Sequence, residues 1–164
     1  WQRVLSAPKK IGGVYLNAVG RDAYVVGNNI VFATINTYNN ANWQLPTPVE
    51  HPSSNSVFLF DIAGKLVGRW QAGGSIEEMA FTPNTVVAAV GRNTKTKDAA
   101  VHGLYVLTLP AAQLEERLAI AGPCIAVAVQ PQGEYIAGIE APLQLDDGQI
   151  IGDYRLHIWQ KKHE

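Results

Sequence analysis

Cysteine is almost missing from this chain. Cys124 is the only one, so no internal disulfide can hold the fold, and the redox compartment is left open with the cytoplasm slightly favoured. Charge is scarce too, at 16% of residues against roughly 25% in an average soluble domain. Thirteen basic and fourteen acidic residues leave a formal charge of -1, without the basic excess that nucleic acid or an anionic membrane surface demands. Apolar runs are short, none near the ~20 residues of a membrane-spanning helix. There is no Gly-x-Ser-x-Gly elbow, Walker loop, dinucleotide fingerprint or His-Glu-x-x-His. No cofactor is expected, and no catalytic residue can be named.

What is present is a chain of 164 residues, 47% of them apolar, about the size of one domain. It is too apolar and too weakly charged for intrinsic disorder. Because it opens on Trp1 rather than methionine, the expectation is a processed chain or, better, a piece cut from something longer.

An internal repeat organises the sequence. AYVVGNNIVFATI at 23–35, EMAFTPNTVVAAV at 78–90 and AVAVQPQGEYIAGI at 126–139 each hold two β-rich runs around a short turn. The turns contain Gly27-Asn28-Asn29, Pro83-Asn84 and Pro131-Gln132-Gly133, residue types that accept positive φ or fix it at the turn value. A third run follows in each unit: VFLFD at 57–61, LYVLT at 104–108 and LHIWQ at 156–160. Val57 and Leu59, Leu104 and Val106, and Leu156 and Ile158 stand at period two, each pair on one face of its strand. A fourth run, LVGRW at 66–70 and RLAIA at 117–121, closes the first two units.

Four short antiparallel strands recurring every ~50 residues have the size of a propeller blade. With the apolar-x-Phe-x-Pro pattern of MAFTPN, the VAVQPQG turn and the Phe60-Asp61 and Trp159-Gln160 pairs, the chain resembles the WD-repeat and YVTN-type β-propeller families over residues 22 to 164. It departs from the strict WD pattern in having no Gly-His before the first strand of any unit and only Phe60-Asp61 near a Trp-Asp ending. The fold expected is all-β, about three four-stranded antiparallel blades. Residues 1–21 give flanking strands of a preceding blade, with VYL at 14–16 and WQRVL at 1–5 as candidates. Residues 22–70 give blade 1 with a long loop at 36–55, 71–121 blade 2, and 122–164 blade 3 with an incomplete last strand. AAQLEERLA after Pro110 reads as one or two helical turns leading into RLAIA. Val25, Phe32, Val57, Leu59, Met79, Phe81, Val86, Ala88, Leu104, Val106, Val127, Val129, Ile136, Leu156 and Ile158 are the expected core.

Three blades cannot close a ring, since a propeller needs about four to eight. The chain should therefore be part of a larger propeller or should associate with copies of itself, and alone should be marginally stable or not monomeric. Its expected role is a non-catalytic protein-interaction or scaffold module, with a protein partner or a second copy, no direct nucleic-acid contact and no membrane span. The binding candidates are Tyr38, Asn39, Asn40, Asn42 and Trp43 in the 36–55 loop, where aromatics supply contact area and amides adaptable hydrogen bonds. One rival reading is a ligand-binding or hydrolytic propeller of the lactonase or quinoprotein-like kind, with a central-channel site. Another is a carbohydrate-binding module using Tyr38 and Trp43.

Other chemistry-bearing residues read as bland. Arg92, Lys95 and Lys97 form a solvated basic tip. Asp146 and Asp147 precede Gly148 without the alternating spacing of a calcium loop, and an Asp-Gly turn explains them. His51, His102, His157 and His163 stand at no zinc-ligand spacing, and His157 lies on the strand face opposite Leu156 and Ile158. Cys124 reads as a small packed hydrophobe. The adjacent pairs Glu77-Glu78 and Glu115-Glu116 point to opposite strand faces and make no carboxylate dyad.

Overall fold

Alternating apolar residues separated by turn formers fold here into stacked antiparallel meanders. The computed structural model describes residues 1–36, 49–91 and 99–161. A two-stranded hairpin, β1 (Lys9–Ile11) and β2 (Val14–Leu16), precedes the first large sheet. That sheet comprises β3 (Ala18–Val26), β4 (Asn29–Asn36), β5 (Ser56–Asp61) and β6 (Leu66–Gln71), in sequence order. The second sheet repeats the order with β7 (Ile76–Phe81), β8 (Thr85–Val90), β9 (Gly103–Thr108) and β10 (Gln113–Ala119). In the third sheet β11 (Cys124–Val129) pairs with β12 (Tyr135–Glu140). A small hairpin, β13 (Leu143–Gln144) and β14 (Ile150–Ile151), intervenes before β15 (Arg155–Gln160), which pairs with β12. The architecture is all-β, with one 3-10 turn at Ala99–Val101, and among the described residues no helix is long and apolar enough to cross a membrane.

The core lies between sheets. Val31, Ala33, Val57 and Leu59 of the first sheet pack on Met79, Val86, Ala88, Tyr105 and Leu107 of the second. The opposite face of the second sheet, with Val87, Ala89, Leu104 and Val106, meets Cys124, Val127, Val129, Ile136 and Trp159 of the third. Every central strand therefore has two apolar faces, as the run TVVAAV of β8 requires. Trp70 on β6 reaches across to Tyr105 with ring centroids 5.0 Å apart, and Tyr24 meets Phe81 at 4.5 Å.

The outer strands touch where no side chain stands between them. A Cβ on Gly68 of β6 would lie 2.2 Å from the Ala111 carbonyl oxygen, in the turn before β10. Any other residue there would push the two outer edges apart.

Several expectations need correction. Residues 113–119 form β10 and not a helical lead-in. Leu114 and Leu118 have helical spacing, but pairing with β9 prevails, and a bulge at Glu115 turns the two leucines to opposite sheet faces. Residues 1–5 form no strand; Trp1 lies on Phe60 at 6.0 Å, and its Nε1–H donates to the Ile62 carbonyl at 3.0 Å. Val25 is exposed because β3 turns Tyr24 and Val26, not Val25, toward the second sheet. Leu156 and Ile158 are 62% and 65% exposed. They occupy the place that Val57 and Leu59, and then Leu104 and Val106, hold in the earlier sheets, but among the described residues no sheet stacks on them. Phe32, Phe81, Val127, Val129 and Ile136 are half-buried.

This difference is measurable. Leu59→Ala should cost about 2–5 kcal/mol of unfolding free energy in urea, as large-to-small changes in a packed core do. In the single chain, at concentrations too low for self-association, Leu156→Ala should cost less than about 0.5 kcal/mol. Equal costs would mean that something covers Leu156 in solution.

Candidate functional site

Tyr38, Asn39, Asn40, Asn42 and Trp43, the expected binding residues, lie outside the described residues, as do Arg92, Lys95, Lys97 and His163. The structure instead brings together a groove and a buried acid-base pair, both on the third sheet.

The groove runs between the second and third sheets and has a volume of about 620 Å³. Its floor is apolar, made of Val87, Val106 and Leu118 on one side and Val129, Ile136 and Trp159 on the other. Glu115 and Glu116 of β10 form one wall, and Gln160 and Lys161 stand opposite. The Lys161 ammonium reaches Glu115 at 3.3 Å across the opening. β15, which carries Trp159, is the last strand of its sheet among the described residues.

At the other end of the same sheet face lies Glu140, 1% exposed. Register places Gly138 opposite His157 and Cys124 opposite Glu140. The His157 Nε2–H donates to Glu140 Oε2 at 2.7 Å, and the Gly122 amide donates to Oε1 at 2.7 Å. Burial pushes the Glu140 carboxyl up, but the hydrogen bonds from His157 and Gly122, with the nearby charge of Arg155, outweigh it and hold it below the ordinary glutamate range. Gly152, at φ +73°, closes the pocket. A Cβ there would fall 2.6 Å from Glu140 Oε1 and 2.7 Å from the Gly122 nitrogen, so both the backbone conformation and the space call for glycine. His157 also stacks on Trp159, centroids 5.3 Å apart and planes 13° from parallel.

Cys124 is fully buried beside this pair, and burial pushes its thiol up to about 11. It is a neutral thiol at physiological pH and donates to the Ala126 carbonyl at 3.4 Å, not to His157. Thus Cys124, His157 and Glu140 share a face without forming a nucleophile-base pair. The other described histidines are tied to backbone. His51 donates from Nε2 to Ala7 at 2.9 Å and accepts the Ser53 amide at Nδ1, and His102 donates from Nδ1 to Ala121 at 2.8 Å. Among the described residues no three His, Cys, Asp or Glu side chains gather to hold a metal ion. The Asp147-Gly148 turn closes on protein partners, Asp147 Oδ1 accepting the Gln149 amide at 2.9 Å.

Sequence reasoning missed Glu140, whose signal was a single carboxylate ending the apolar run YIAGI. It missed the outer-strand arginines too. In the first sheet Arg69 lies over the Phe58 ring at 5.1 Å and donates to the Pro52 carbonyl. In the second, Arg117 lies over Tyr105 at 5.5 Å and donates to the His102 carbonyl at 3.0 Å. Their signal was the shared pattern Leu-x-x-Arg at 66–69 and 114–117.

The pair gives a pH prediction. A carboxyl held lower in the folded state than in the unfolded chain adds stability that is complete above the ordinary glutamate value, 4.5, and is lost as pH falls through the folded value. Glu140→Gln should cost about 1–3 kcal/mol at pH 7. The gap between the two proteins should narrow only below about pH 4.5. Thermal melts from pH 7 to pH 3 check this, and a gap independent of pH would contradict it.

The sequence matches no protein-family model and no curated protein. Among solved structures it is similar to a chain in "Crystal Structure of Mitotic Checkpoint Complex", at 12% identity and a TM-score of 0.46. The likeness covers 91% of this chain and 46% of that one, so the chain spans about half the length of the solved chain it matches.

Proposed function

We propose that the chain is a non-catalytic interaction and scaffold module of the WD-like β-propeller type, and that a second copy stacks on its third sheet. The observation that supports this reading is the outer face of that sheet. Ile139, Leu156 and Ile158 stand exposed there, at repeat positions that are buried by the next sheet in both earlier units. Exposed apolar surface of this kind marks a protein contact. The other end of the stack is apolar as well. Val25 is exposed there, and Trp1, Leu5, Phe32 and Phe60 line a shallow pocket beside it. Two different apolar ends on one stack favour head-to-tail association, which closes a ring when the rotation per sheet permits.

The test is native mass spectrometry of the chain across a range of concentrations. A dimer of about 36 kDa, twice the 17.8 kDa chain, is expected. The double variant Leu156→Lys with Ile158→Lys should be monomeric with an unchanged circular dichroism spectrum. A wild-type monomer at every concentration, or a variant that still dimerises, would overturn the reading.

A further inference from the structure

We infer that the junction between the second and third sheets is a latch that opens at one end without unfolding of the chain, and that Glu140 is the residue that keeps it shut. The junction between the first two sheets supplies the comparison. A short link, 72–75 after β6 and 120–123 after β10, leads to the first strand of the next sheet. The two links are tied to corresponding places. In the first, the Ala72 amide donates to the Asn55 carbonyl at 2.7 Å and the Gly91 amide to the Ser75 carbonyl at 2.9 Å. In the second, the Ile120 amide donates to the His102 carbonyl at 3.5 Å and the Ala141 amide to the Pro123 carbonyl at 3.0 Å. The bond at the start of the link is thus a good one in the first junction and a weak one in the second.

The side chains that seal the two junctions differ in kind. Val90 and Glu140 each end a second strand, and they pair with the first residues of the third strands, Gly103 and Arg155. Val90 is fully buried in the apolar core between the first two sheets. Glu140 at the same place is a buried carboxylate that holds the link directly, accepting the Gly122 amide at 2.7 Å, and takes His157 Nε2–H on its other oxygen at 2.7 Å. His102 grips the link one residue earlier, from Nδ1 to the Ala121 carbonyl at 2.8 Å, while its buried Nε2 has no partner among the described residues. A packed valine has no better place to go when a sheet loosens. A carboxylate, an amide and an imidazole all regain hydrogen bonds once water enters, so the second junction has an open state without orphaned polar groups. The link would not lift alone. A Cβ on Gly152 would stand 2.5 Å from the Gly122 Cα, so the 141–153 connection lies backbone on backbone against the link and opens with it.

Cys124 reports the opening. It is the sole cysteine, follows the link directly, and is fully buried in the core between the second and third sheets. That core is internal to one chain, so the inference does not rest on a second copy. The experiment follows the reaction of Cys124 with dithiodipyridine in the full chain at pH 7, in rising urea, at concentrations too low for self-association. The wild-type rate should stay flat in low urea and climb only where the whole chain unfolds. Glu140→Gln should label at least about tenfold faster without urea, through loss of charge-assisted bonds, with an unchanged circular dichroism spectrum. Leu59→Ala, which weakens the first junction and the chain as a whole, should label within about twofold of the wild type. A wild-type rate that climbs along the global unfolding slope from the first addition of urea would refute the latch, because Cys124 would then be reached by global unfolding alone. So would Leu59→Ala labelling as fast as Glu140→Gln, or Glu140→Gln labelling no faster than the wild type.

Discussion

Everything in this structure depends on apolar sheet faces being pressed together in series. No disulfide is available to hold the strands, and each four-stranded meander is too thin to enclose a core. Removal of Val57, Leu59, Leu104 and Val106 from water, at roughly 1.5–3 kcal/mol for each large apolar side chain, is what offsets the ordering of the chain. The stacking works because the repeat delivers the same two side chains of each third strand to the same face. It also makes the middle sheet the best supported, since it alone among the described sheets has another sheet packed on both faces.

Polar groups then fix how neighbouring sheets are aligned. Each innermost strand is bulged, at Gly20/Asp22, Ile76/Glu78 and Cys124/Ala126, and the bulges sit where the sheets meet. Arg21 donates to the Glu77 carbonyl at 2.8 Å, and Glu78 accepts the Val127 amide at 2.9 Å. These strands are the edges of their sheets, where one row of backbone groups lacks a strand partner, and two such groups, the Glu77 carbonyl and the Val127 amide, take side chains of the neighbouring sheet.

The strands and their turns were legible in the sequence because alternation and turn chemistry are local. Val57 and Leu59 declare their face by period two, and Pro83-Asn84 or Pro131-Gln132-Gly133 end runs by backbone preference. What was not legible was set across strands. The bulge at Glu115 made a strand resemble a helix in spacing, and the turn of β3 reversed the expectation for Val25. The meeting of Glu140 with His157 follows from the register of β12 against β15, which no spacing within either strand reveals. The exposure of Leu156 and Ile158 is a special case. The period was read correctly, but burial is a property of what lies above a face, and the residues on that face do not encode it. For the 36–55 loop the sequence named Tyr38 and Trp43 by type alone, without any partner to position them.

Gly68 carries a consequence for symmetry. The outer edges of the first two sheets meet at the backbone, glycine against the Ala111 carbonyl, while their centres are held apart by valine, leucine and methionine. The difference in thickness between periphery and centre determines the wedge angle from one sheet to the next. A larger residue at 68 would thicken the rim alone and so change the angle from one sheet to the next. A single missing side chain at the rim thus helps set the order of any ring to which this stack belongs.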